Sequence, residues 1–320
     1  MLLKLKDESI KPFRARMDEL SPWMHHYKID DETYTGIYPV DGLYQKYTYC
    51  NSTSDKKVIN KFSNAYENMD FSAKRRFFSE IIKSISLDTK KSSALDISSA
   101  TGKHSLWLVE EGFSKVYSSE IRKHQVEQQQ LILDSLEDQS YKNKIHVNHD
   151  EIYADQKEYQ ELYKDKDVEL VLSFGLLYHV ANPIQHIINC RAISNKYVVI
   201  YTRTRISPYE VDAWTLKQED PSWVTLAMEG ISWVPHFNYL NKNYRKLGFK
   251  SCKIIYPDVF SKNFPDYTQL SRKVVSKIKW AERVKRHFNT DFYYTKNLFP
   301  HCNKYAGMDG NFFGYILEKE

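Results

Sequence analysis

The chain has 320 residues, of which 42% are hydrophobic and 14% aromatic, enough to bury a sizeable core and to exclude a disordered polypeptide. Its net charge of +5 is too mild to point by itself to a nucleic-acid partner, and a mean hydropathy of -0.60 describes a polar surface. Cys50, Cys190, Cys252 and Cys302 form no Cys-x-x-Cys pair, so neither a zinc site nor a disulfide scaffold is expected, and a reducing cytoplasm is the expected setting.

At the N-terminus, MLLKLKDESIK has too short an apolar run for a signal peptide, and the longest apolar stretch, 168–181, is too short to cross a membrane. Residues 1–54 lack a clear period and contain SPWMHHYKIDDETYTGIYP, dense in aromatics and turn formers, which predicts a cap or lid segment. Residues 55–320 are expected to form one domain, with insertions at 205–235 and 259–310.

Within that domain, ALDISSATGKHSLWLVEEGF at 94–113 reads as a strand ending near Asp96, a turn of small residues and an amphipathic helix. Ser98, Ala100, Thr101 and Gly102 keep side-chain bulk low, so backbone N–H groups can approach a polar ligand. A dinucleotide fingerprint would need glycine at Ser98, Ala100 and Lys103, and a P-loop would need Ser or Thr at His104, so neither phosphate cradle fits.

Further strands are predicted at 115–120, ending on Glu120, at 144–150, ending on His149 and Asp150, and at 168–174, ending on Ser173, Phe174 and Gly175. Three more follow at 196–204, 252–258 and 311–319, separated by helices at 122–138, after Asn182-Pro183, and before Leu247-Gly248-Phe249. The expected apolar stripes are Val126, Ile132, Leu133 and Leu136 on one helix, and Ile184, Ile187, Ile188 and Ala192 on the next. Seven strands in this rhythm predict an α/β fold, a Rossmann-like doubly wound, mostly parallel sheet with an N-terminal cap and C-terminal insertions.

Such a sheet binds ligands at the carboxyl ends of its strands, where Asp96 and Glu120 are neighbours. An acid at the second strand end suits a ribose of several nucleotides, or simply faces solvent. LSRKVVSKIKWAERVKRHF at 270–288 has Leu270, Val274, Ile278 and Ala281 on one helical face and most of its basic residues elsewhere, so it reads as a basic amphipathic helix, either docked or in contact with an anionic partner.

The D-x-S-x-A-T-G turn at 96–102 resembles the D-x-G-x-G/A-T-G turn of class I S-adenosylmethionine-dependent methyltransferases, with Ser98 in place of the usual glycine. Serine there is unstrained if its φ is negative and strained if the turn needs a positive φ. LSFGLLYHVANP, centred on Leu177-Tyr178-His179, resembles the fourth-motif loop of a subgroup that holds tRNA wobble-uridine methoxy- and carboxymethoxy-type enzymes and small-molecule or sugar methyltransferases. Pro22-Trp23-Met24-His25-His26 resembles the same subgroup's N-terminal signature.

This resemblance implies S-adenosyl-L-methionine as cofactor, with Asp96, Ser98, Ala100, Thr101 and Gly102 near its methionine part, Glu120 on the ribose, His149 and Asp150 near adenine, and Ser173, Phe174 and Gly175 along the chain. It implies His179 as a base, Tyr178 as a positioning or cation-facing ring, and Trp23, His25, His26, Tyr178 and Trp233 around the acceptor. No metal is expected. The expected activity is methyl transfer to oxygen or nitrogen of a small molecule. A tRNA-modifying enzyme and a methyltransferase-like binding protein without catalysis are the alternatives.

Overall fold

The computed structural model describes residues 3–20, 71–204, 214–218, 231–236, 239–255 and 312–320, the segments 37–39 and 47–49, and the single positions 23, 25, 27, 29 and 35. Its centre is a seven-stranded sheet. Strands are numbered along the chain: β1 Ile37–Pro39, β2 Tyr47–Tyr49, β3 Ser93–Ile97, β4 Lys115–Glu120, β5 Ile145–His149, β6 Leu170–Phe174, β7 Tyr197–Arg203, β8 Trp214–Gln218, β9 Ile231–Pro235, β10 Phe249–Ile255 and β11 Phe312–Lys319.

The main sheet runs in the order β10-β11-β7-β6-β3-β4-β5. Strands β5, β4, β3, β6 and β7 are parallel, while β11 is antiparallel to both β7 and β10. The strand order reverses between β3 and β6, which is where an open α/β sheet has its ligand crevice. Both β3 and β6 are buried on both faces, with Ser93, Asp96 and Ser173 as the polar residues among them. The pairs β1–β2 and β8–β9 form two small antiparallel sheets outside it.

Period-two alternation sorts the strand side chains into two cores. Ala94, Val116, Leu170, Leu172 and Val199 face one layer, with the helices Asp7–Glu19, Phe71–Lys83, Lys103–Glu110 and Lys123–Ser135. Leu95, Ile97, Val171, Val198 and Ile200 face the other, with Pro183–Ile193 and the short helix Tyr239–Asn243. Asp96 and its register partner Ser118 therefore point into the first layer. They are polar groups in an otherwise apolar seam.

The segment expected to lack period begins with the helix Asp7–Glu19, and Phe13, Met17, Leu20, Trp23 and Tyr27 belong to the first core. It docks on the helix Lys123–Ser135 through a bridge between Leu5 and Leu136 and a bond from Lys6 N to the Ser135 carbonyl. Of the two predicted stripes, the first is buried at Ile132, Leu133 and Leu136, and the second is rotated. In Lys123–Ser135 the buried set is Gln125, Gln128, Gln129, Ile132 and Leu133, while Val126 is only half-buried. In Pro183–Ile193 it is His186, Ile187, Asn189, Cys190 and Ile193, with Ile188 and Ala192 exposed and Ile184 half-buried.

In Pro183–Ile193 the polar residues go inward with partners, which makes their burial affordable in energy. His186 meets Ser173 Oγ at 2.8 Å, and Asn189 donates to the carbonyls of Ala154 and Gln156. The whole insertion 259–310, with its basic segment 270–288, lies outside the described residues.

Gly248 ends the turn before β10 with φ 84, and a Cβ there would stand 2.5 Å from Arg191 Nε, which donates to the Gly248 carbonyl. Gly248→Ala is expected to cost about 1–3 kcal/mol, from the left-handed backbone and the displaced Arg191 bond, read as a lower urea midpoint with unchanged slope.

Candidate functional site at the crossover of the sheet

The turn between β3 and the helix Lys103–Glu110 sits at the crevice. Ser98 has φ 56, Ala100 φ 52 and Gly102 φ 80, so the serine adopts the strained alternative. Left-handed backbone costs an L-residue about 1–2 kcal/mol, so the two non-glycine residues must be held. They are. Ala100 N donates to Glu120 Oε2 at 2.8 Å, and Gln129 Nε2 donates to the Ala100 carbonyl at 2.5 Å and to Ser99 Oγ at 2.8 Å. A hydrogen bond to a charged group contributes about 1.5–3 kcal/mol, which offsets the strain.

Tyr27, fully buried, closes the turn from the N-terminal side, donating its hydroxyl to the Thr101 carbonyl at 2.7 Å. Its position is set by reciprocal bonds with Thr35, and burial pushes its phenol above the ordinary range. Thr101 Oγ1 is buried and meets no hydrogen-bond partner among the described residues.

Glu120 ends β4 almost fully buried, and its second oxygen accepts from Arg122 N at 3.0 Å. Burial raises its carboxyl above the usual range, against the lowering effect of Arg122. Burial also pushes Asp96 up to about 7. The hydrogen bond with Ser105 at 2.7 Å opposes that rise and the negative charge of Glu120 adds to it. Two carboxyls in one dry seam, with no cation between them, resist double ionisation.

The other predicted cofactor residues divide. Gly175, φ 87, follows β6 and is half-buried; its N–H donates to the Tyr201 carbonyl. Phe174 stacks on Tyr201 at 4.2 Å. His149 is exposed, its Nε2 3.0 Å from the Ile121 carbonyl. Two expectations need correction. Asp150 is buried and accepts from Ser119 and from Tyr163, so it anchors the 3-10 helix Lys157–Leu162 region to β4 and β5. Ser173, fully buried, turns its hydroxyl to His186, away from the crevice. Sequence spacing places both at strand ends but does not show which face each side chain takes.

After β6, the Tyr178 and His179 rings lie 4.0 Å apart and half-exposed. A Cβ on Gly175 would stand 3.7 Å from the Tyr178 hydroxyl. Trp233 N donates to the Tyr178 carbonyl, so β9 holds this loop from outside. His25 lies edge-on to His104 at 5.4 Å, and His104 in turn lies 4.5 Å from Phe174. Trp23 does not wall the crevice: only 1% exposed, it packs on Phe13 and donates to the Met17 carbonyl. An indole with a satisfied N–H and an aromatic neighbour is a core residue. His26 lies outside the described residues.

The residues that sequence reading missed are Tyr27, His104, Ser105, Ser118 and Gln129. Only Gln129 carried a signal, the Gln125-Gln129 helical spacing on what proves to be the buried face. Among the described residues no His/Cys/Asp/Glu group could hold a metal ion, and no helix is long and apolar enough to cross a membrane.

The backbone is similar to the crystallised N-terminal domain of EvdMO1 with S-adenosylhomocysteine bound, with a TM-score of 0.51 and 15% identity over 79% of this chain and 91% of that one. It overlaps less well with a putative sarcosine dimethylglycine methyltransferase from Galdieria sulphuraria, at TM-score 0.47 and 9% identity over 77% and 84%. A Burkholderia thailandensis 1,6-didemethyltoxoflavin-N1-methyltransferase gives 0.46 and 11% over 92% and 99%. No family profile matches the sequence, and no curated protein does. The fold shared with the EvdMO1 domain is Rossmann-like, and identity this low carries the fold alone.

Two outcomes test this geometry. Ala100→Gly relieves left-handed strain and is expected to stabilise the protein by about 0.5–1 kcal/mol in urea unfolding, the rest being lost to glycine's chain entropy. Because folding raises the Asp96 pKa from 3.8 to about 7, the folded state binds more protons across that range. Stability from this group therefore falls as pH rises from about 4 to 7 and levels off above, and Asp96→Asn removes that slope.

Proposed function

We propose that the chain is an S-adenosylmethionine-dependent methyltransferase acting on oxygen or nitrogen of a small molecule. The observation that carries this reading is Glu120, held at the crossover beside a turn of small residues with both its oxygens oriented by backbone N–H groups. Each carboxylate oxygen keeps a second lone pair, which suits the two hydroxyls of a ribose. The turn fits the donor's amino-acid part as well. Thr101 supplies a buried hydroxyl whose oxygen finds no partner among the described residues, and Ser98 and Ala100 add little bulk.

The likeness to the EvdMO1 N-terminal domain, crystallised with S-adenosylhomocysteine bound, supports the same cofactor, and the absent glycines argue against a dinucleotide. Asp96, Ser98, Ala100, Thr101 and Gly102 then surround the methionine part, with Phe174 and Gly175 beyond it and His149 at the adenine end. When bound, the cofactor supplies an activated methyl on a sulfonium whose leaving group is neutral. What remains for this chain is alignment of acceptor and methyl, which carries most of the rate in such a transfer.

Tyr178 and His179 stand where the acceptor would enter, with Trp233 fastening their loop and His25 reaching in from the N-terminal segment. Tyr178 presents a ring face to a cation, and His179 takes the acceptor's proton. The basic sequence at 270–288 favours a second reading, a tRNA-modifying enzyme, which steeply salt-dependent tRNA binding would support.

Calorimetric titration with S-adenosylhomocysteine is expected to show one site, weakened at least about tenfold by Glu120→Ala, since each hydrogen bond to a charged group contributes about 1.5–3 kcal/mol. Absence of binding at millimolar ligand contradicts the proposal. For the chemistry, His179→Ala is expected to lower kcat at least about tenfold with KM little changed; an unchanged kcat removes the base role.

A further inference from the structure

Asp96 lies at one end of a chain of polar groups that crosses the first core layer: Asp96 Oδ2 to Ser105 Oγ at 2.7 Å, Ser105 Oγ to Ser118 Oγ at 2.9 Å, and Ser118 Oγ to Gln129 Oε1 at 2.6 Å. All four side chains are at least 98% buried. Gln129 Nε2 continues it to the Ala100 carbonyl and Ser99 Oγ, in the turn assigned to the donor.

The hydrogens can be counted. Gln129 has a fixed orientation, because the Ala100 carbonyl accepts only from its NH2 end, so Oε1 faces Ser118. Ser118 therefore gives its one hydrogen to Gln129. Ser105 must then supply the hydrogen between itself and Ser118. The contact between Asp96 and Ser105 is left without one unless the carboxyl provides it. Three contacts of hydrogen-bond length need three hydrogens, and the two hydroxyls hold two.

We infer that Asp96 stands as a neutral acid in the ligand-free protein, the hydrogen donor that completes this chain, and that capture of the donor's α-ammonium at the adjoining turn ionises it with release of one proton. The inference rests on the donor-site reading of the previous section. The balance is simple: the carboxyl O–H breaks, the proton passes to solvent, and the new carboxylate faces a ligand that carries an α-ammonium. Ser105 then turns its hydrogen back to Asp96, and the Ser105–Ser118 contact is the one that gives way. Asp96 becomes a positioning group that couples donor charge to the shape of the turn.

Its surroundings favour the neutral form until the ligand arrives. From β4 the facing groups are Glu120, of the same sign, and Ser118; from β6 the register partner is Leu172. The helix Lys103–Glu110 presents Ser105, while the Lys103 ammonium lies over the Trp107 ring and His104 lies against Phe174. The N-terminal segment presents Tyr27, whose hydroxyl donates to Thr101, and the helix Lys123–Ser135 presents Gln129. Arg122 acts on Glu120.

Calorimetry with S-adenosylhomocysteine in two buffers of different ionisation enthalpy reads protons released per ligand bound. For a group titrating at about 7 the release is about 0.9 proton at about pH 6 and about 0.1 at about pH 8. In Ser118→Ala the Ser105 hydrogen is free to turn to Asp96, so release at about pH 6 is expected to fall at least about twofold. In the unmutated protein, infrared difference spectra on adding ligand should lose a protonated-carboxyl band. Absence of ligand binding overturns the donor-site reading itself. Binding without proton release, or release unaffected by Ser118→Ala, overturns only the assignment of the proton to Asp96.

Discussion

Ala100 is gripped from both sides of its backbone, its N–H by the Glu120 carboxylate and its carbonyl by the Gln129 amide, while its φ stays positive. The crevice takes its shape from that grip. Without it, Ser98 and Ala100 would relax from the left-handed region and recover about 1–2 kcal/mol each, and the small-residue turn would no longer present Thr101 and Glu120 to one ligand. The grip is built from three separate pieces of chain, so the turn is rigid only when β4 and the helix Lys123–Ser135 are in place.

The same layer explains why the N-terminal segment belongs to the site. Trp23 and Tyr27 sink into the core shared with Lys103–Glu110, and Tyr27 then reaches the Thr101 carbonyl. A segment whose sequence shows no period is ordered by docking, since its helix has a stripe of Phe13 and Met17 to bury and a partner helix to bury it on. His25, next to these anchors, is carried to His104 and so to the crevice.

Much of the sheet was legible because parallel strands buried on both faces read as largely apolar runs. The strand 115–120 matches β4 residue for residue, and 168–174 and 196–204 bracket β6 and β7 closely. The stripes failed where polar residues are buried with partners supplied by distant chain. Nothing local to Gln129, His186 or Asn189 announces a waiting carbonyl or hydroxyl. For the same reason Asp150 and Ser173 read as crevice residues from their strand-end positions, although one serves the tyrosines below it and the other a histidine. The left-handed Ser98 was legible only as a question, because the residue type permits either sign of φ and the surrounding clamp decides it.

The central claim is that the 98–102 turn and Glu120 together hold a sulfonium donor. A crystal structure of the protein grown with S-adenosylhomocysteine tests it most directly. The account predicts the ligand's ribose hydroxyls on the Glu120 carboxylate and its amino-acid end against Thr101 and the turn. Ligand bound elsewhere with this turn unchanged, or a ribose turned away from Glu120, would contradict it.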